Sequence, residues 1–228
     1  TTSDLRWLTS LDCSSNSSHD QGKGGPVFDI APLRYATNLQ HLGIYGPQLT
    51  NLEPLKGLTG LNTLQLSGAR VSDLSPLAGL KNLYYLGIYG ESIADISPLK
   101  GLTKLERLFI ANTSVSDLSP LKGLTKLYEL VLHQSRVTDI SPLKGLTNLV
   151  ILDLGGNRIA DFSALKGLTK LHHLYIERQT PSVTNRWVQA GTDWWYLDSN
   201  GSSASGWTLI NGSWYHFMYL GGPMETGW

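Results

Sequence analysis

The segment from Leu83 to Lys104, LYYLGIYGESIADISPLKGLTK, is one unit of a pattern that repeats through most of the chain. Leucine recurs with a fixed period at the first position of this unit and again at its fourth position. The two series are Leu39, Leu61, Leu83, Leu105, Leu127, Leu149 and Leu171, and Leu42, Leu64, Leu86, Leu108, Leu130, Leu152 and Leu174. A fixed period of this length is typical of solenoids, in which each coil packs on its neighbours. Because a solenoid presents a broad surface, the period favours a binding function.

Each unit predicts a short strand followed by an outer turn. Leu86 and Ile88 are separated by a single residue, which is the spacing of a strand with one buried face. Ser97-Pro98 predicts a short helix or 3₁₀ turn, with serine as the N-cap and proline at the first helical position. The predicted fold class is an α/β-type solenoid, an arc with parallel strands on its concave face and short 3₁₀ or helical turns outside.

The last part of the chain follows a different pattern, because tryptophan replaces leucine after Thr180. Every tryptophan except Trp7 lies at or beyond Trp187. Trp187, Trp207 and Trp228 begin successive units of nearly equal length. Each unit predicts a β-hairpin, with turns at Ala190-Gly191 and Asn211-Gly212. Since isolated hairpins are marginally stable, we expect them to stack into a second, smaller solenoid.

The two patterns predict two domains. Residues 1–179 form the arc, with an irregular first coil at 5–38, regular coils at 39–170 and a partial coil at 171–179. Residues 180–228 form the hairpin domain.

Composition and motifs exclude several classes of function. The chain carries 18 basic and 18 acidic residues, so no net charge attracts nucleic acid or an anionic bilayer. No apolar run is long enough to insert into a membrane. The sequence contains no GxSxG, HExxH or CxxC motif and no phosphate-binding glycine loop. We therefore expect a protein that is not an enzyme and that needs no metal or other cofactor.

The repeats resemble two bacterial families. The phrase SPLKGLT, with an acidic residue two positions before it, is similar to the leucine-rich repeat of internalins, and the likeness covers Leu5 to Gln179. The segment GWTLINGSWYHFMYLGGPMETGW, residues 206–228, resembles the choline-binding or cell-wall-binding repeats of Gram-positive surface proteins. The preceding unit departs from that pattern, with Arg186 where glycine is usual and Ser203 where the second unit has Met224.

The second resemblance implies choline sites between consecutive hairpins. A quaternary ammonium is held by several aromatic faces, whose quadrupoles attract cations. We expect one site at Trp187, Trp194, Tyr196 and Trp207, and a second at Trp207, Trp214, His216 and Trp228. Some related repeats bind sugars instead, because the same faces stack on pyranose rings. Trp195, Tyr215 and Phe217 are expected to fill the interfaces between hairpins.

The outward strand positions of the arc are the other candidate surface. They are Tyr45, Tyr85, Tyr89, Arg107, Phe109, Glu129, His133, Asp153, His173 and Tyr175. Aromatic residues and arginine favour a protein interface, although cross-strand aromatic ladders also stabilise a solvated sheet. Acid–base or metal chemistry by Glu129, His133 and Asp153 is a third, weaker hypothesis, because an open sheet excludes no water.

The resemblances imply a secreted, non-enzymatic protein of the Gram-positive cell wall and surface. Its hairpins would bind choline on teichoic acid, and its arc would bind a host or bacterial protein in adhesion or virulence. Two alternatives are a carbohydrate-binding surface protein and the recognition part of a larger cell-wall enzyme.

Overall fold

A computed structural model of the protein describes residues 2–13, 29–46, 49–67, 70–179, 184–218 and 223–225. Eight parallel strands, each paired with the next along the chain, form one sheet. Their bounds are β1 Ser10–Cys13, β2 His41–Tyr45, β3 Thr63–Ser67, β4 Tyr85–Tyr89, β5 Arg107–Ala111, β6 Glu129–Val131, β7 Ile151–Asp153 and β8 His173–Tyr175. Within the regular coils, each strand residue pairs with the equivalent residue of the next unit, as Leu64 does with Leu86. The length of the sequence repeat therefore equals the separation of paired residues in adjacent strands. The predicted fold class is confirmed.

Short 3₁₀ helices form the side of each coil opposite the sheet. They span Thr2–Trp7, Ala31–Tyr35, Glu53–Leu55, Ser75–Gly79, Ser97–Gly101, Ser119–Leu121, Ser141–Gly145 and Ser163–Gly167. The repeating leucines lie between the helices and the sheet, where Leu83, Leu86 and Leu99 are fully buried. Burial of apolar surface along one continuous core stabilises each coil against the next.

The predicted serine N-caps are wrong. The 3₁₀ helix begins at Ser97 itself, so the N-cap residue is Ile96, and no side-chain hydrogen bond caps the helix from that position. Instead Asp95 accepts from the backbone N–H of Ser97 at 2.7 Å and from its hydroxyl at 2.9 Å. The same pair of bonds recurs in four other coils, at Asp73, Asp117, Asp139 and Asp161. The aspartate two residues before the serine therefore stabilises the start of the outer 3₁₀ helix.

A buried amide ladder closes the C-terminal coils. The side chain of Asn157 donates to the carbonyls of Leu132 and Leu154 and accepts from Val137 N–H. Gln179, one repeat later, makes the equivalent bonds to Leu154, Ile176 and Ile159. The sequence analysis did not identify Gln179, although its position one full period after Asn157 was a usable signal.

Two antiparallel hairpins follow the arc. Hairpin 1 consists of β9 Arg186–Ala190 and β10 Asp193–Leu197, and hairpin 2 of β11 Gly206–Ile210 and β12 Ser213–Phe217. The Asn211-Gly212 turn is confirmed, whereas the first turn comprises Gly191 and Thr192, one residue later than predicted. The boundary predicted at residue 180 lies outside the described residues and stays a prediction.

Hairpin 1 packs directly on the last coil of the arc. Val188, Ala190, Trp195 and Leu197 belong to the same buried cluster as the leucines of the arc. Gly191 N–H donates to the carbonyl of Leu165 at 3.1 Å. Gly191 has a φ of +57°, and a side chain there would approach the Thr169 backbone to 2.8 Å. Hairpin 1 therefore covers the C-terminal end of the arc's core.

We expect Trp195→Ala to destabilise the arc as well as the hairpins. The Trp195 side chain is 1% exposed within the shared core, and emptying such a site costs about 3–5 kcal/mol. Urea unfolding followed by far-ultraviolet circular dichroism measures the change. Trp214→Ala, at a side chain 64% exposed, is the matched control and is expected to change stability by less than about 0.5 kcal/mol. An unchanged unfolding midpoint of the arc in Trp195→Ala would show that hairpin 1 does not brace it.

Acid is expected to destabilise the arc through its outer turns. Hydrogen bonds from the backbone N–H and hydroxyl of the following serine lower the pKa of Asp73, Asp117 and Asp161 below the ordinary 3.8. A lowered folded-state pKa means that this stabilisation is fully present above the unfolded-state pKa and is lost as pH falls through the folded-state pKa. The triple Asp→Asn variant should therefore lose less stability than the wild type between about pH 5 and pH 2. Thermal unfolding across that range tests this, and equal losses would contradict it.

Candidate binding surfaces

Hairpin 1 separates its aromatic side chains onto two faces. Alternation along each strand, with Trp187 paired to Tyr196 and Val188 to Trp195, places Trp187, Trp194 and Tyr196 on one face. Trp195 lies on the other face, buried in the core of the arc. Trp195 thus packs against the arc, whereas the prediction placed it in an interface between hairpins.

The three rings on the outer face of hairpin 1 contact one another. The centroids of Trp187 and Trp194 are 6.4 Å apart with their planes at 84°, and those of Trp187 and Tyr196 are 5.2 Å apart. Trp194 is 38% exposed, so the corner between the two indoles is accessible. We call these three residues, with the two rings of hairpin 2 that contact Trp187, the first aromatic cluster.

Hairpin 2 supplies those two rings. Tyr215 packs edge to face against Trp187, with ring centroids 5.0 Å apart. Phe217 stacks on Trp187, with ring centroids 6.0 Å apart. Phe217 is fully buried, as expected of an interface residue, and Tyr215 is half-buried. The sequence analysis did not assign Tyr215 to a cage; the alternation of β12, which separates it from Trp214 and His216, was the available signal.

Trp207 lies elsewhere than predicted for the first site. It is paired with His216, the two rings being 5.0 Å apart, and both lie on the face of hairpin 2 that also carries Trp214. The rings of hairpin 2 against Trp187 are therefore Tyr215 and Phe217, so the structure does not bring Trp207 together with the other three members of the first predicted set. The reason is the two-residue period of β11 and β12, which points Trp207 away from hairpin 1.

Three of the four residues predicted for the second choline site, Trp207, Trp214 and His216, lie on one face of hairpin 2. Trp207 is 57% exposed and Trp214 is 64% exposed. The Nδ1 atom of His216 lies 2.6 Å from a carboxylate oxygen of Glu225, which brings negative charge beside the rings. The predicted fourth member, Trp228, lies outside the described residues.

Nine of the ten candidate residues of the arc lie in strands of the concave sheet, and His133 lies in the turn after β6. The register aligns Tyr85, Arg107 and Glu129 across adjacent strands. It also aligns Asp153 with Tyr175. Of the ten, Tyr45 is the most exposed, at 48%, and the others are half-buried.

Arg107 is the centre of a compact group on this face. Its guanidinium carbon lies 5.5 Å from the Tyr85 ring and 5.4 Å from the Phe109 ring, and its Nε donates to Glu129 at 2.6 Å. The hydrogen bond to Glu129 raises the pKa of Arg107, and partial burial raises the pKa of Tyr85. The group therefore presents a neutral phenol and a paired guanidinium at neutral pH.

In the C-terminal half of the concave face, Glu129, His133 and Asp153 each have a polar partner. Glu129 is held by Arg107. Asp153 accepts from Gly155 N–H at 2.8 Å and lies 3.3 Å from His133 Nδ1. These bonds hold the C-terminal ends of β6 and β7 and the turns that follow them. Among the described residues, no group of three or more His, Cys, Asp or Glu side chains is placed to hold a metal ion.

A shallow depression lies at the N-terminal end of the concave face. Its volume is about 450 Å³, and its lining includes Asp12, His41, Gly43, Gln65 and Tyr85. The lack of a side chain at Gly43 creates part of this space, because a Cβ atom there would come within 2.9 Å of an Asp12 oxygen. The sequence analysis did not identify Asp12, His41 or Gln65.

Across the part of the chain that the structure describes, no helix is long and apolar enough to cross a membrane.

Family models match both regions. A model of leucine-rich repeats in two copies matches residues 103–145, and a second leucine-rich repeat model matches residues 125–179. A model described as a putative cell wall binding repeat matches residues 185–203 and 205–223. No curated protein sequence matches the chain.

Solved structures resemble the arc. Internalin InlF of Listeria monocytogenes is 31% identical, with a TM-score of 0.69 over 81% of this chain and 51% of its own length. Internalin C2 of the same species is 38% identical, with a TM-score of 0.60 over 65% of this chain and 66% of its own. A leucine-rich repeat protein of Leptospira interrogans, 20% identical, has a TM-score of 0.62 over 76% of this chain and 44% of its own, and shows the fold alone.

This chain thus spans about half the length of the first of these structures. The matches to both repeat types and to the two Listeria proteins agree with the eight-stranded arc and the two hairpins. The chain is an internalin-like leucine-rich repeat protein with C-terminal choline-binding-type cell wall repeats.

Proposed function

We propose that this chain is a non-enzymatic, secreted protein of the cell wall and surface. Its hairpins bind choline on teichoic acid, and its arc binds a protein partner in adhesion. The observation that carries the wall-binding proposal is the accessible corner between Trp187 and Trp194, whose indoles stand at 84° with centroids 6.4 Å apart.

The first aromatic cluster suits a quaternary ammonium. Such a group donates no hydrogen bond, so its recognition depends on contact with aromatic faces. Trp187, Trp194 and Tyr196 offer three rings from one hairpin, and Tyr215 adds the ring of the next. The corner between the indoles is therefore the favoured place for the cation.

The charge of the hairpins also favours a cation. From Thr180 onward the sequence has one basic residue besides histidine, Arg186, against three acidic residues, Asp193, Asp198 and Glu225. A choline group that approaches the hairpins thus meets a net negative charge. Long-range attraction of this kind raises the rate of encounter.

The expected affinity of one cage is low. Three aromatic faces at about 1 kcal/mol each, with some apolar burial, give a dissociation constant near ~1 mM. A wall polymer that repeats its choline compensates, because neighbouring repeats then bind it together. Stable attachment would therefore depend on more than one cage.

The arc is proposed to bind its partner through the group around Arg107. Arginine and aromatic residues are enriched among the residues that contribute most to protein interfaces. Glu129 already holds the guanidinium, so little side-chain freedom is lost when a partner covers it. The arc shares its architecture with the two Listeria internalins, which identify no partner for this chain.

We expect choline to quench or shift tryptophan fluorescence in a saturable way, and Trp194→Ala to weaken that binding about fivefold through the loss of one face. Dimethylbutanol, the neutral isostere of choline, is the ligand control. Trp7→Ala, at the opposite end of the chain and 73% exposed, is the matched variant and should leave choline binding unchanged. No saturable response to choline would contradict the proposal and favour a sugar ligand.

For the arc, we expect a photo-crosslinking amino acid at Phe109 to capture a discrete protein partner when the chain is mixed with host or bacterial cells. The same label at Lys122, exposed on the outer turns, is the matched control. Arg107→Ala should reduce the yield at position 109, because it removes the guanidinium that lies beside this position on the proposed binding surface. Identical products from both labelled positions would argue against the concave face as the binding surface.

A further inference from the structure

The shallow depression at the N-terminal end of the concave face lies over three neighbouring strands, β2, β3 and β4. We call it the N-terminal depression. Strand pairing arranges the outward residues of these strands in three rows: His41, Thr63 and Tyr85; Gly43, Gln65 and Gly87; and Tyr45, Ser67 and Tyr89. All of these except Gly87 and Tyr89 line the cavity of about 450 Å³, together with residues of β1 that include Asp12. Gln65 therefore lies at the centre of a small grid of outward residues.

Two glycines create the recess on either side of Gln65. A Cβ atom at Gly43 would lie 2.9 Å from an Asp12 carboxylate oxygen, and one at Gly87 would lie 3.3 Å from the Tyr85 hydroxyl oxygen. The side chains of Asp12 and Tyr85 thus reach over backbone that carries no side chain of its own. The sheet consequently forms the floor of the recess, and larger side chains form its border.

The central row of the grid is filled in the later coils. Its register positions in β5 to β8 carry the side chains of Phe109, Val131, Asp153 and Tyr175. The N-terminal depression is therefore a local feature of β2, β3 and β4, and it does not recur along the sheet.

Hydrogen-bonding groups occupy all three rows of the grid. The exposed Gln65 side chain offers an amide donor and an amide acceptor, and Asp12 offers carboxylate acceptors. The Thr63 hydroxyl lies 3.0 Å from His41 Nδ1, and Ser67 adds a hydroxyl in the third row. Neighbouring strands are about 4.8 Å apart, so these groups spread over roughly 10 Å of surface. A ligand rich in hydroxyl groups can form several hydrogen bonds with such a surface at once.

Aromatic rings stand at corners of the same grid. Tyr45 is 48% exposed. Tyr85 is half-buried against Phe109, with ring centroids 5.5 Å apart. The C–H face of a sugar ring is apolar, so it is stabilised by covering an aromatic ring while its hydroxyl groups remain hydrogen-bonded. Aromatic rings beside amide and hydroxyl groups therefore suit a saccharide.

The charge of the N-terminal depression disfavours an anion. Its described lining contains the Asp12 carboxylate and no lysine or arginine. Arg107 contacts the Tyr85 ring from β5, but Glu129 holds its guanidinium. A phosphate or carboxylate ligand would thus meet a negative charge with no cation in the lining to bind it. A quaternary ammonium would leave the amide and hydroxyl groups unused, because it forms no ordinary hydrogen bond.

We propose that the N-terminal depression binds a neutral saccharide, whose hydroxyl groups bond to Asp12, Thr63 and Gln65 while the apolar face of a sugar ring packs on Tyr45. The cavity volume of about 450 Å³ lies within the range of about 300–1,000 Å³ that small-ligand sites occupy. This inference goes beyond the proposed function, because it depends neither on choline binding by the hairpins nor on a protein partner at the group around Arg107.

Saturation-transfer NMR of the full chain with sugars tests the inference. The neutral probes are glucose, galactose, N-acetylglucosamine, maltose, cellobiose and lactose, and glucuronic acid is the anionic probe. We expect a saturable signal from at least one neutral sugar and none from glucuronic acid. Gln65→Ala should weaken binding about fivefold, because it removes hydrogen bonds at the centre of the grid. Gly43→Val should abolish binding by filling the recess with a side chain that this row already accommodates at Val131.

Gln134→Ala, at an exposed glutamine outside the depression, is the matched control and should leave sugar binding unchanged. Thermal unfolding of each variant identifies a loss of fold, and truncation of the exposed Gln65 side chain leaves the core intact. The absence of a saturable signal from every neutral sugar, or unchanged binding in both Gln65→Ala and Gly43→Val, would overturn the inference.

A competition with choline separates the two regions of the chain. Excess choline should leave the sugar signal unchanged, because the proposed choline site lies on the hairpins and the N-terminal depression lies on β2, β3 and β4. Displacement of the sugar by choline would place the sugar on the hairpins and would also contradict the inference. The choline titration of the wild type is a separate measurement, so a failure here is distinguishable from a failure of the proposed function.

Discussion

The hydrophobic core of the arc runs from coil to coil and has to be covered where the last coil ends. A solenoid has no return element that closes its own core, so an uncovered end exposes leucines to water. Hairpin 1 provides the cover, since Val188, Trp195 and Leu197 are buried together with the leucines of the arc. The joint between the two repeat types is therefore a packed interface.

This covering role divides the aromatic residues of hairpin 1 between the core of the arc and the face toward hairpin 2. A strand alternates its side chains between two faces, so residues of one face pack on the arc and those of the other face hairpin 2. Trp195 is on the first face, and Trp187, Trp194 and Tyr196 are on the second. Neighbouring tryptophans in the sequence thus lie in different environments. A groove lined by Lys166 and Arg186 is a further result of the packing, because β9 and the last outer turn meet there.

The arc presents its outward side chains by the same alternation. Outward positions of the strands carry Tyr85, Arg107 and Glu129 in one row, and the leucines between them are buried. The rigid backbone of the parallel sheet holds these side chains in register, and the ion pair between Arg107 and Glu129 limits their motion. A partner would meet a preorganised surface, which lowers the entropy lost on binding.

The sequence by itself determined the solenoid, its strand register and the identity of the outward residues. A repeat of constant length with leucines at fixed positions leaves one way to bury them all, in which residues one repeat apart pair across adjacent strands.

The sequence also indicated the two repeat types and most of the aromatic residues that contact one another in the hairpins, although the contacts of the outer turns were assigned to serine instead of aspartate. Those errors are local, because the Ser97 hydroxyl donates to Asp95 instead of accepting from an N–H of the following turn, and only the geometry shows this. Tertiary structure alone decided which hairpin face meets the arc, that Tyr215 and not Trp207 contacts Trp187, and that Lys166 and Arg186 line one groove. These features depend on how two different repeats pack against each other, and no period within either repeat encodes that contact.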